Sequence, residues 1–209
     1  MARNPGNSSS LLRLFALLLL AGCLSQAPNA PAPAPGASSG TPLSGAGRYR
    51  IVVSKSDYSL TLFRDDRAVK TFRAAFGKAY REGDKRSLGD KRTPEGDFYI
   101  CTMHPSKRFY KFLGLSYPAL KHAEDGLRSG MISDGEFRMI KKALEEGQQP
   151  PWDTRLGGAV GIHGRTVTAA GVPSPGLVNW TYGCIALANA DLDEIFSVVS
   201  LGTPVTILP

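Results

Sequence analysis

From Tyr49 onward the chain alternates apolar and polar positions with a period of two. Tyr49-Arg50-Ile51-Val52-Val53 and Tyr58-Ser59-Leu60-Thr61-Leu62-Phe63 flank a polar Ser54-Lys55-Ser56-Asp57, which predicts a β-hairpin. Residues 68–76 predict a further strand ended by Gly77, and 97–102, 158–162 and 204–208 predict three more. The period changes in one region only. Ser133 and Glu136 stand three apart and form a capping box, predicting a helix through Glu146 that Gly147 stops. Phe137, Ile140, Ala143 and Leu144 fall on one face of it, so it packs by a single stripe. A first helix is predicted at 119–127, and a short one at 191–196 with acidic residues in its first turn. The expectation is a mainly β fold with an α-helical insertion at about 117–147, an α+β domain spanning 48–209. About 160 residues suffice for one core without disulfides.

Before Tyr49 the pattern is different. Residues 1–22 carry Arg3 and Arg13 and then a short apolar run ending Leu20-Ala21-Gly22-Cys23. A basic start, an apolar core and small residues before a cleavage point predict an export signal, too short for a membrane span. Its end resembles a bacterial lipobox, which implies lipidation of Cys23, a membrane anchor and a location facing the periplasm or cell wall. Residues 24–47 are mostly Ala, Pro, Ser and Gly with no charged side chain. Such a stretch cannot bury enough apolar surface to fold and predicts a tether, 23–47 with the lipidated Cys, reaching up to about 75 Å.

The chain has 25 Lys and Arg against 18 Asp and Glu. Loss of Arg3 and Arg13 with the signal leaves a modest basic excess, suited to anionic wall polymers. No compact basic and aromatic motif accompanies it, which speaks against nucleic acid as a partner. The charged, Gly-punctuated residues 78–91 are expected to form a solvated connection or a rim facing acidic substrate. Ser106 to Tyr117 mixes aromatics with cations, and Arg108 and Tyr110 are candidates for a groove that holds a carboxylate.

Only three His and three Cys are present. Cys101 falls within a strand as a core thiol. Its spacing to His104 gives half a zinc site with no second half, so no metal and no cofactor is expected. His163 and Cys184 stand about twenty residues apart, each beside a glycine and an apolar run. A thiol near pKa 8.5 needs a base to become a nucleophile, and His163 is placed to be that base. Gly183 allows a sharp turn that gathers the amides of Tyr182, Gly183 and Cys184 into an oxyanion site. Gly164 offers no side chain to orient His163, so a backbone carbonyl must fix its tautomer.

Ile162-His163-Gly164 followed by Trp180-Thr181-Tyr182-Gly183-Cys184-Ile185-Ala186-Leu187 resembles the signature of the L,D-transpeptidase (YkuD-like) catalytic domain. Thr93-Pro94-Glu95-Gly96-Asp97-Phe98-Tyr99 resembles that family's second recurring segment. The resemblance runs from about Tyr49 to the C-terminus. It implies a β-sandwich-like domain in which Cys184 attacks the carbonyl joining the third and fourth residues of a peptidoglycan stem peptide. His163 would serve as general base and acid, with Gly164, Trp180 and Thr181 lining the substrate site. In this subgroup the helical insertion resembles a lid or wall over the cleft. The commoner pattern has His where Tyr182 stands and Arg where Ala186 stands, and the subgroup with Trp-Thr-x-Gly-Cys-Ile-Ala-Leu includes hydrolases of wall linkages. An acceptor amine would give transpeptidation and water would give hydrolysis. A non-catalytic wall-binding lipoprotein and a metal hydrolase are the readings from other classes. Oligomeric state is open.

Overall fold

A computed structural model describes residues 49–165 and 179–209; the signal, Cys23 and the tether lie outside the described residues. The first hairpin pairs β1 (Tyr49–Ser54) with β2 (Ser59–Arg64), and β2 with β3 (Arg67–Arg73), both antiparallel. The register places Ile51 opposite Leu62 and Val53 opposite Leu60. All four are buried, so the period-two pattern turns one face of the hairpin inward. The long β4 (Gly96–Ser106) and β5 (Tyr110–Leu115) form the second hairpin, followed by α1 (Leu120–Arg128) and α2 (Asp134–Glu145). The short β6 (Gly161–His163) and β7 (Ile185–Ala186) come next, then α3 (Asn189–Phe196) and β8 (Pro204–Leu208).

The eight strands form one sheet in the order β3-β2-β1-β8-β4-β5-β6-β7. β8 lies parallel to β1 and antiparallel to β4, joining the two hairpins. The sheet curls. The strand predicted to run through Phe76 leaves the hairpin ladder at Arg73, and the chain beyond it crosses to the far edge. There Ala75 exchanges both backbone hydrogen bonds with Ala186, at 2.8 and 2.9 Å, and Lys78 N donates to Thr181 O at 3.1 Å. Ile51, Leu60, Phe76, Ile100, Leu113, Ile162, Ile185 and Ile207 meet inside this curl in one core.

Both insertion helices form where the capping and periodicity place them. Ser133 Oγ accepts from Glu136 N at 3.3 Å while the Glu136 carboxylate accepts from Ser133 N at 2.7 Å. Ile140 of α2 packs with Ala123, Ile132 and Leu156 in a small separate core. No helix among the described residues is long and apolar enough to cross a membrane.

Residues 78–91, exposed at Lys78, Arg81, Glu82, Arg86, Leu88, Gly89 and Lys91, are more than a solvated connection. Asp90 accepts from the Arg86, Ser87 and Arg92 amides and from Lys85 Nζ at 2.7 Å. Asp84 accepts from Glu95 N, Lys121 Nζ and His122 Nε2, and these donors outweigh burial to hold its carboxyl well below the usual range. Lys85 is 3% exposed. A buried ammonium needs a counter-ion and full hydrogen bonding, so the loop folds around its own Asp residues and docks onto α1.

Candidate active site

The site is built on the parallel pair β6 and β7. Ile162 lies opposite Ile185 and His163 opposite Ala186. Strand side chains alternate between faces, so the two Ile enter the core while His163, Ala186 and the preceding Cys184 share the other face. Two residues twenty apart in sequence thus become neighbours on adjacent strands.

His163 is 1% exposed. Its Nδ1 donates to Gly164 O at 2.8 Å, so a backbone carbonyl does set the tautomer and leaves Nε2 as the basic nitrogen. The Phe109 ring packs 4.3 Å from the imidazole, and the Trp180 ring meets it edge-on at 5.6 Å. Burial pulls the pKa down to about 4, the Gly164 carbonyl opposes this, and the Arg108 cation adds to it. The ring is therefore neutral at pH 7.

Gly164 is held on both sides. Its N–H donates to Phe109 O at 3.1 Å, and a Cβ there would meet Asn189 Oδ1 at 2.3 Å. Asn189 clamps the next residue, accepting from Arg165 N at 2.7 Å and donating to Arg165 O at 3.0 Å. Phe109 and Asn189 fix where the histidine sits, and sequence reasoning missed both. Phe109 stood among the aromatics and cations of 106–117 with no role of its own. Asn189 stands in the first position of α3, where an amide side chain reads as a helix end.

The Cys184 side is a backbone construction. Thr181 is buried; its Oγ1 donates to Cys184 O at 2.7 Å and accepts from Gly183 N at 3.2 Å. The hydroxyl closes the Tyr182-Gly183 turn, so Thr181 shapes the turn. Gly183 has φ +128°, and a Cβ there would meet Arg92 O at 2.7 Å. Its N–H is used inside the turn. That corrects the expectation for an oxyanion donor: the Tyr182 and Cys184 amides are the ones with no internal acceptor among the described residues.

Cys184 is a partly exposed residue in dense surroundings. Burial pushes its thiol up to about 11, while the Gly161 amide and the Lys85 ammonium act the other way. The thiol points at Ala159 O, 3.6 Å away. Ala159 takes φ +51°, left-handed for a residue with a Cβ. That kink also explains why the predicted strand from 158 begins only at Gly161. Gly161 must be glycine, since a Cβ would strike Leu113 O at 2.5 Å. The resting pair is thus thiol and neutral imidazole. Proton transfer has to accompany attack on a bound carbonyl.

The remaining candidates are dispersed. Trp180 walls the imidazole, with its Nε1 buried and unpartnered, and Tyr182 is 65% exposed above the turn. Arg108 lies at the β4–β5 tip with its guanidinium 5.2 Å from the Phe109 ring. Tyr110 turns away: its hydroxyl donates to Asp193 of α3 at 2.8 Å, so it anchors β5 to α3. Cys101 Sγ donates to Gly114 O at 3.4 Å, and His104 Nδ1 contacts Pro105 O. Two cavities, of about 410 Å³ beside α1 and about 330 Å³ beside Tyr58 and Tyr80, contain neither Cys184 nor His163. The insertion helices contact the 78–91 loop through Asp84. No hydrogen bond or ring contact joins them to Cys184 or His163 among the described residues.

The profile of the L,D-transpeptidase catalytic domain matches residues 48–207. The fold is also similar to the helical cell shape determining protein Pgp2 of Campylobacter jejuni, solved as a K307A mutant. Identity is 20% and the TM-score 0.53, over 77% of this chain and 47% of that one. Bd1075 of Bdellovibrio bacteriovorus gives 18% identity and a TM-score of 0.51 over 78% and 48%. The chain therefore spans about half the length of these two proteins. No curated protein sequence matches.

Proposed function

Because the chain belongs to the L,D-transpeptidase catalytic domain family, we propose that it is a peptidoglycan L,D-transpeptidase acting through a thioacyl enzyme on Cys184. Cys184 Sγ attacks the carbonyl joining the third and fourth residues of a stem peptide, and His163 Nε2 takes the thiol proton. The tetrahedral oxyanion is held by the amides of Tyr182 and Cys184; loss of one such donor typically costs on the order of 100-fold. His163 returns the proton to the leaving amine as the C–N bond breaks. An amine acceptor then attacks the thioester and restores the thiol. The observation that carries this reading is the β6–β7 register, which sets His163 and Cys184 on one face with the Gly161 amide at the sulfur.

The export signal and Cys23 extend the reading to a lipid-anchored enzyme facing the cell wall. Mass analysis of the mature N-terminus tests the anchor: an unmodified Cys23, or a chain beginning elsewhere, overturns it. For the reaction, the full chain in detergent is incubated with purified peptidoglycan and defined stem peptides beside Cys184→Ala. Dimers joined through third residues, absent with the variant, establish transpeptidation. Cys184-dependent release of fragments without dimers means that water is the acceptor and the enzyme a hydrolase. No Cys184-dependent product leaves a wall-binding lipoprotein.

A further inference from the structure

Three separate stretches of chain meet at the nucleophile turn, and their contacts are backbone to backbone. Lys78 N donates to Thr181 O at 3.1 Å and Ala79 N to Lys91 O at 3.1 Å. A Cβ on Gly77 would meet Lys91 O at 2.1 Å and Gly183 Cα at 3.1 Å. Lys91 itself is held at φ +59°, a strained conformation for a residue with a Cβ that persists only where the surroundings impose it. Lys78 and Lys91 are therefore fixed beside residues 181–183 by the fold.

Both side chains point to one place. Lys78 Nζ is 5.5 Å and Lys91 Nζ 5.8 Å from the centroid of the Tyr182 ring. Tyr182 is exposed, immediately before Gly183 and Cys184. The carboxylates of the neighbouring loop are already engaged: Asp90 by Lys85, Asp84 by Lys121 and His122, and Glu82 by Arg92. Among the described residues neither Lys78 nor Lys91 has a carboxylate partner. Two ammonium groups on one aromatic ring repel each other, and an anion between or above them relieves that repulsion.

We propose that Lys78, Lys91 and Tyr182 form a subsite for a carboxylate carried by the substrate close to the bond that Cys184 attacks. Lysine ammoniums suit this role as point charges on flexible stems that close on a carboxylate from two sides. The subsite makes the enzyme selective for a peptide with a free carboxylate near the scissile carbonyl. That identification of the ligand rests on the reading of Cys184 as the nucleophile toward stem peptides. The shared chemistry could come from the terminal carboxylate of the fourth residue or from a side-chain carboxylate on the third.

The subsite is tested first without turnover. The full chain is alkylated with iodoacetate and with iodoacetamide, and the modification of Cys184 is followed by mass. Both reagents need the same thiolate, so their rate ratio cancels the thiolate fraction and reports only the attraction of a carboxylate to the sulfur. The ratio for the wild type should exceed that of free cysteine by about 3–10-fold and fall as salt is raised. It should drop severalfold toward the free-cysteine value in K78Q/K91Q, Lys85 remaining, and stay unchanged in K142Q, a remote exposed lysine. A wild-type ratio equal to that of free cysteine, or one that K78Q/K91Q leaves intact, overturns the subsite.

Turnover then separates the sources. With the fourth-residue carboxylate amidated, or instead the third-residue side-chain carboxylate amidated, kcat/KM should fall about tenfold or more for one peptide. The double variant should lose its advantage on that peptide's free acid alone. Equal turnover of all three peptides overturns the selectivity while the proposed reaction stands. A Lys-dependent alkylation ratio with no Cys184-dependent turnover of any peptide supports a carboxylate site and overturns the stem peptide as its ligand.

Discussion

Cys101 and Cys184 lie in the same sheet, and burial raises both thiols, Cys101 to about 12 and Cys184 to about 11. Each donates to a backbone carbonyl, of Gly114 and of Ala159. They differ in what else faces the sulfur. Cys101 sits where the β4–β5 register shifts between Ile100 and Thr102, the extra residue of a β-bulge on an interior strand, and the backbone contact that lowers its pKa is its own. Cys184 stands at the start of an edge strand with the Gly161 amide and the Lys85 ammonium toward it, and with the Tyr182 and Cys184 amides unused. Burial alone makes a thiol inert. On the proposed reading, donors that are silent toward the thiol but favour a thiolate or an oxyanion make Cys184 a nucleophile once a carbonyl arrives.

The strongest way to break this comparison is to delete each sulfur in turn. Cys184→Ala should reduce product formation on the order of 10⁴-fold or more, and Cys101→Ala should leave it within about twofold. Product masses on defined stem peptides give both numbers. Activity lost in both variants would mean that the sheet, and not the local donors, sets reactivity.

His163→Gln comes next. A glutamine fills much of the imidazole's place but cannot take the thiol proton, so kcat should fall about 10²–10⁴-fold, with KM little changed. Retention of full kcat would assign the proton to another group and leave His163 a packing residue between Phe109 and Trp180.

How much of this was readable beforehand follows from the range of the forces. The hairpin at Tyr49–Arg64, the capping box of Ser133 and Glu136 and the three helices depend on neighbours in sequence, and all appear where the pattern puts them. His163 and Cys184 were legible as a pair because each carries its own glycine. The positions of Phe109 and Asn189 were not legible, because they act through backbone atoms of Gly164 and Arg165 across 55 and 24 positions. The use of the Gly183 amide by Thr181 depends on a hydroxyl rotamer that no pattern encodes. Residues 78–91 read as a solvated connection or a substrate rim because charge usually lies outside. Asp90 instead matches the buried Lys85 internally and Asp84 ties the loop to Lys121 and His122 of α1, which only the folded loop reveals.

The charge state of the pair gives a third test. The folded pKa of His163, about 4, lies below the ordinary 6.5, so between those values the unfolded chain binds the extra proton. Stability therefore rises with pH across that window and is lost as pH falls from 6.5 to 4, by at most about 3 kcal/mol. Thermal melts of wild type and His163→Gln from pH 7 to pH 4 isolate it. The wild type should lose more stability on acidification than the variant. Parallel melts would mean that the imidazole is no more buried folded than unfolded, and the neutral resting pair would have to be abandoned.

The smallest expected effect is on stability, and it runs opposite to the activities. Cys101→Ala removes a partly exposed sulfur from the bulge of an interior strand and leaves the Gly114 carbonyl without its thiol donor, so it should cost about 1 kcal/mol. Cys184→Ala removes an equally partly exposed thiol whose contact with the Ala159 carbonyl is longer, at 3.6 Å, and on the proposed reading the two free amides beside it serve the reaction and not packing, so it should cost less or slightly stabilise. Urea melts of both variants decide it. If Cys184→Ala were the more damaging, the turn at 181–184 would be held by its sulfur. Thr181 and the glycines would then be insufficient to build it, and the view of Cys184 as a group presented by a backbone frame would fail.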